Sequence, residues 1–158
     1  MFMKIIHFVA SIALCQLAGL LGSFFTIPAI PTWFTSLVKP SFSPPSWIFS
    51  PVWICLYTLL GISFFFVWGK GWDRPEVKKA LTFFLIQLLL NVLWSVFFFG
   101  LRSPLAGLIE IFFLWTAILL TMHQFFKLSR WAGFLLTPYI VWVTFAFILN
   151  FSLWRLNP

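Results

Sequence analysis

The sequence predicts an all-α integral membrane protein, a five-transmembrane-helix bundle with a long Pro/Trp-rich loop between helices 1 and 2. Three observations carry that prediction. Of the 158 residues, 62% are hydrophobic and only 8% are charged, whereas a soluble domain keeps about a quarter of its residues charged. Apolar runs long enough to cross a bilayer, about 20 residues each, recur along the chain. The short alternating segments of a membrane barrel do not occur. In lipid the backbone must satisfy its own hydrogen bonds, which helices do.

The first run covers 5–26. It continues past the length of a secretory h-region and ends on no small-x-small cleavage pattern, so it reads as a retained helix. Ser11, Cys15, Gly19 and Ser23 recur along it every fourth residue, a groove of small side chains that lets another helix backbone come close. From Pro28 to Pro45 the chain is too rich in proline to continue as a long helix. Its apolar aromatics, Trp33, Phe34 and Phe42, argue for an ordered segment. Within it begins "KPSFSPPSWIFSPVW", fifteen residues holding four prolines and two tryptophans, far stiffer than a connection between two helices requires.

The second run, 47–68, places Trp53 and Tyr57 one turn apart. "GKGWDRPEVKK" follows as the plainly solvated segment. The third run, 80–100, carries Gln87, Asn91 and Ser95 at i, i+4 and i+8, with Trp94 beside them. The fourth, 105–126, and the fifth, 132–153, are joined by "KLSRW", and "LRSP" joins the third to the fourth. Both are tight turns, so these helices are antiparallel neighbours. Tyr139, Trp142, Ala146 and Asn150 form one stripe on the fifth. The runs use most of the chain and leave one domain, 1–158, with no soluble module.

A net charge of +7 does not point to nucleic acid here, because the basic residues flank the spans and set orientation. Lys4, Lys70, Arg74, Lys78, Lys79, Lys127 and Arg130 fall on one side, and Lys39, Arg102 and Arg155 on the other. That bias puts the N-terminus in the cytoplasm and the C-terminus outside. Cys15 and Cys55 lie within spans and form no CxxC, which indicates neither disulfide nor metal site. Nor is there a Ser/His/Asp set, a paired carboxylate or a phosphate-cradling loop, so conventional acid–base or nucleophilic catalysis has no visible equipment. Glu110, a little over one turn into the fourth run, is expected to snorkel to the headgroups or pair with Arg102. Trp72, Trp131 and Trp154, at span ends, read as interfacial belt residues.

The polar stripes admit two readings. Asn and Gln inside spans glue helices together. Alternatively, Trp53 and Tyr57, Asn91 and Trp94, and Trp142 and Ala146 converge on one aromatic-lined cavity with a few polar anchors.

Three long motifs favour the cavity. "KPSFSPPSWIFSPVWICLYTLLG", "QLLLNVLWSVFFFG" and "WAGFLLTPYIVWVTFAFILNFSLWRLN" resemble, in order, the first-loop and helix-two, helix-three and helix-five signatures of the TspO/MBR family. This is the family of tryptophan-rich sensory proteins, translocator proteins and the peripheral-type benzodiazepine receptor. The resemblance runs from about residue 22 to 157. It implies a five-helix receptor that binds porphyrins such as protoporphyrin IX, and isoquinoline-like ligands, in a pocket closed by the first loop. It implies no obligatory cofactor, a homodimer in membrane lipid, and, for so compact a chain, a bacterial inner membrane. Carried over by position, Trp53, Asn91, Trp142 and Ala146 match ligand-facing residues, and Trp33 a loop tryptophan. The loop's prolines are then expected to hold Trp33 and Trp47 against a flat ligand. Two other activities come with the resemblance: light-dependent degradation of bound protoporphyrin, with Trp53 and Trp142 as electron donors, and carriage of porphyrin or lipid. Leu149, Phe151 and Arg155 stand where animal members carry a sterol motif, but Phe151 replaces its tyrosine and cannot donate the hydroxyl.

Overall fold

The computed structural model describes residues 2–158, and those residues fold into helices with no strand among them. Helix α1 runs Phe2–Ala29, α2 Phe49–Trp68, α3 Pro75–Ser95, α4 Pro104–Leu128, α5 Arg130–Leu135 and α6 Thr137–Leu156. Helices α5 and α6 form one span, so five segments are long and apolar enough to cross a membrane. The expected bundle is the observed one.

The helix ends differ from the expected bounds for identifiable reasons. Pro28 does not end the first helix. α1 passes through it and continues as a π-turn, Ile30–Phe34, in which the Thr35 N–H reaches back to the Ile30 carbonyl. The wider turn absorbs the prolines. Hydroxyls supply donors at the same place, Thr32 to the Pro28 carbonyl at 2.9 Å and Thr35 to that of Pro31 at 3.1 Å. Such local adjustment makes proline tolerable in a span. The helical segment Phe2–Phe34 holds 33 residues, about 50 Å at 1.5 Å per residue, well beyond the roughly 30 Å of hydrocarbon. Its last turns carry Trp33 and Phe34 up to the collar. The irregular part of the collar shrinks to residues 37–45.

The fifth span, expected to be continuous, breaks at Leu136, two residues before Pro138, which has no N–H to donate to the turn below. Serines fix both tight turns. The Ser103 hydroxyl accepts from the Ala106 N–H at 3.1 Å to start α4, and that of Ser129 accepts from the Ala132 N–H at 3.4 Å to start α5. α3 ends in a second π-turn, Val96–Gly100, which faces Phe98 and Phe99 into the bundle.

Helix α1 packs closely on α2. Ser11 and Cys15 are buried. A Cβ on Gly61 would lie 2.6 Å from the Ile12 Cα, and one on Gly19 would lie 2.6 Å from the Tyr57 ring. Backbone meets backbone at the first point and backbone meets aromatic face at the second, so the two helices are closest near Gly61 and stand apart above Gly19.

Candidate functional site

Above Gly19 the helices enclose a cavity of about 290 Å³. Every span but the fourth contributes to its wall. Trp53 and Tyr57 come from α2, Asn91, Trp94 and Ser95 from α3, and Trp142, Ala146 and Asn150 from α6. Of the three stripes read from the sequence, all these residues line one space, while Tyr139 does not. Gln87, at the foot of the α3 stripe, is fully buried below that space, and neither atom of its amide has a partner among the described residues.

Two hydrogen-bonded struts hold the wall. The Tyr57 hydroxyl donates to Asn91 Oδ1, and Asn91 Nδ2 donates to the Tyr139 hydroxyl at 2.9 Å, tying α2, α3 and α6 at one level. A turn higher, Trp94 Nε1 donates to Asn150 Oδ1 at 3.2 Å, and Asn150 Nδ2 donates to the Pro104 carbonyl at 2.7 Å. Asn91 and Asn150 are both buried, where an amide without partners is costly. Each therefore joins helices and lines the cavity as well.

Aromatic rings complete the frame. Trp53 stacks on Tyr57 with ring centroids 5.5 Å apart, and Trp94 stacks on Phe98 at 5.1 Å. Phe49 bridges Phe34 and Trp142, with ring centroids 6.2 Å from each. No charged side chain lines the cavity. Glu110, one turn beyond Gly107 on the inward face of α4, is 6% exposed, and neither carboxylate oxygen has a partner. It neither snorkels nor pairs with Arg102, because its position on the helix turns it into the bundle.

The collar departs from expectation. Trp47 is 72% exposed and Trp33 packs edge-on against Phe98 and Phe99, and neither lines the cavity. Phe34 and Phe49, flanking them in sequence, face inward instead. The extra helical turns at Ile30–Phe34 set Phe34 rather than Trp33 on the inner side. Of the sterol-motif positions, Leu149 lines the cavity while Phe151 and Arg155 face outward, so the three share no surface. Helix α1 forms a wall that its groove gave no reason to expect, with Gln16, Gly22, Ser23 and Thr26. Between α1 and α2 the cavity has a lateral seam. Leu20, Ile27 and Ile54 line it and yet are more than half exposed. Gln16 Nε2 closes its lower end with bonds of 3.0 Å to the Ile54 carbonyl and to the Thr58 hydroxyl.

A profile of the TspO/MBR family matches residues 11–155. The chain belongs to the TspO/MBR family. It is 46% identical over 155 residues to the tryptophan-rich protein TspO of Chlorobaculum tepidum, covering 98% of both chains. It is 46% identical over 156 residues to that of Archaeoglobus fulgidus, covering 98% of this chain and 99% of the other. The translocator protein of Bos taurus is 33% identical over 143 residues, 90% of this chain and 85% of its own. TspO/MBR membership and five apolar spans together make this an integral membrane protein.

Proposed function

We propose that this TspO/MBR protein is a membrane receptor that binds flat, hydrophobic tetrapyrroles, protoporphyrin IX among them, and smaller isoquinoline-like molecules in the cavity between its helices. The observation that carries this reading is the seam. A neutral cavity walled by Trp53, Trp94 and Trp142 opens sideways between α1 and α2 through apolar residues that face the bilayer. A volume of about 290 Å³ sits at the lower end for drug-sized ligands. A macrocycle would have to enter edge-on, with one edge between the tryptophans and the other in the seam. Hydrophobic ligands concentrate in lipid, so a lateral opening suits them better than an aqueous mouth.

Titrating the purified protein with protoporphyrin IX in the dark should quench tryptophan fluorescence saturably. A Trp53→Phe/Trp142→Phe variant should lose much of that quenching. Quenching no greater than that of free tryptophan in the same detergent counts against the reading.

A second reading, light-driven destruction of the bound ring, draws support from one feature. Trp53 and Trp142 both line the cavity, and Trp53 leads through stacked Tyr57 and hydrogen-bonded Asn91 to Tyr139. Comparing absorption spectra of the complex in light and dark separates binding from destruction. In the cell we place the protein in the cytoplasmic membrane with its N-terminus inside, on the strength of seven basic residues against three. Reporter fusions at each terminus test that orientation.

A further inference from the structure

We propose that Lys39 is an anchor for a carboxylate on the bound ligand, an inference that rests on the receptor reading above. The cavity has no charged lining, so an acidic ligand cannot push its carboxylates inward without losing their hydration for nothing. The charge must stay outside that lining, and Lys39 offers a cation there. The Lys39 ammonium lies 4.9 Å from the centroid of Phe34, a wall residue of the cavity. Its side chain is half-buried, and it donates to the carbonyls of Thr35 at 3.3 Å and Leu37 at 3.2 Å. An ammonium has three donors, so one remains.

Those carbonyls hold the ammonium but do not neutralise it. The chain's acidic residues are Asp73, Glu76 and Glu110. Among the described residues the one ion pair is Arg74–Glu76. Among the described residues no carboxylate, that of Pro158 included, lies within ion-pair distance of Lys39, and the aromatic cavity beside it has no charged lining.

Its place is fixed from the far end of the chain. The Val38 N–H donates to Asn157 Oδ1 at 2.9 Å, and Asn157 Nδ2 donates to the Val38 carbonyl at 3.0 Å. This two-way amide clamp joins the collar to the end of α6 one residue before Lys39. Phe42 rests on Phe145, with ring centroids 6.3 Å apart, on the other side. A pre-positioned cation loses little freedom when it meets its partner. The ligand class that follows is amphipathic: a flat apolar body for the tryptophans, with an acid at one edge.

The test uses the full-length protein in nonionic detergent, titrated with protoporphyrin IX and with its uncharged dimethyl ester. Lys39→Gln keeps an N–H donor for the carbonyls and removes the charge. A hydrogen bond to a charged group, discounted for a half-exposed site, corresponds to about a tenfold change in affinity. Lys39→Gln should therefore weaken the acid about tenfold and leave the ester within about twofold, and Lys39→Arg should restore the acid. Added salt should weaken the acid more than the ester in the wild type. Equal loss for both ligands would show that Lys39 only braces the collar or serves a lipid phosphate, and no loss for the acid would remove it from the site. Either result overturns the anchor while the receptor reading stands. If the wild type binds neither ligand, both readings fall.

Discussion

Replacing Ala146 by Leu tests whether the aromatic space is a binding site, because it should move stability and affinity in opposite directions. Ala146 lies one turn above Trp142 and lines the cavity between α6 and α3. A leucine there adds three carbon atoms. Without a bound ring these atoms extend into the cavity, whose volume of about 290 Å³ exceeds what they add. Filling part of a void restores dispersion contacts that its lining lacks, and resistance to unfolding should hold or rise. With a ring seated between Trp53 and Trp142 the same atoms compete for its volume. Overpacking costs roughly 1–3 kcal/mol, which corresponds to about 5- to 150-fold weaker binding of a bulky ligand. A smaller ligand that leaves room by α6 should lose much less. The assay pairs fluorescence titration of both ligands with SDS-induced unfolding followed by circular dichroism. A variant that unfolds more readily yet binds porphyrin normally would refute the reasoning, because its leucine would be pressing on a neighbouring helix.

Other perturbations address the struts, the walls and the collar. Asn91→Ala removes two buried hydrogen bonds, each worth about 0.6 to 1.7 kcal/mol inside membranes; it should cost about 1–3 kcal/mol in SDS unfolding, and Tyr139→Phe, which loses one of the two, about half as much. A full-sized effect from Tyr139→Phe alone would mean that the strut does not run through Asn91. The Trp53→Phe/Trp142→Phe pair keeps apolar walls and should retain much of the affinity, measured by the ligand's own absorption, while abolishing any light-driven change in the ring; conversion at the normal rate would rule both out as electron donors. Asn157→Ala frees the collar at Val38 and should speed porphyrin release about fivefold in stopped-flow displacement, since changes at one interface act mainly on the off-rate. Replacing Pro44 and Pro45 by Gly should do likewise by loosening the same segment, and an unchanged off-rate in both variants would reduce the collar to a connection.

The bundle was legible because bilayer physics is severe: five long apolar runs must cross as helices, and basic residues mark their ends. The three converging stripes were legible for a related reason. Polar side chains in a span turn toward partners, so Asn91, Asn150 and Tyr57 had to face one another's helices. What sequence could not show was the course of the chain through Pro28 and Pro31. Proline rules describe α-helical turns, and a π-turn with Thr32 and Thr35 supplying donors lies outside them. That one local event decided which collar aromatic faces inward, giving Phe34 the place expected of Trp33. Glu110 is close to a helix end, but its angular position on α4 decides what it meets. Gly107, one turn before it, is buried against Phe98 and Asn150, and a residue three further on faces the same way. The clamp between Val38 and Asn157 spans 119 residues, and no local pattern announces such a pairing.

A cavity inside a helical bundle needs a reason to stay open. Interiors close-pack, and a void forfeits the contacts its lining would otherwise make. Here the lining resists collapse because its largest members are tied at their edges. Trp94 is held through its indole N–H to Asn150 and by its stack on Phe98. Tyr57 is held through its hydroxyl to Asn91, with its ring against Gly19 on one side and Trp53 on the other. Trp142 is braced by Phe49 and Phe145, with ring centroids 6.2 and 5.5 Å away. None of these rings can swing inward without giving up a bond or a stacked neighbour. The abundance of tryptophan and phenylalanine is thus as much a scaffold for the cavity as a surface for a ligand. It follows that substituting a wall aromatic should affect binding in two separable ways. Where the ring is tied, as at Trp94, loss of the tie should let the wall relax and weaken ligands of every shape. Where the ring is braced only by packing, as at Trp142, a phenylalanine should keep the wall and alter only what the indole itself contributes.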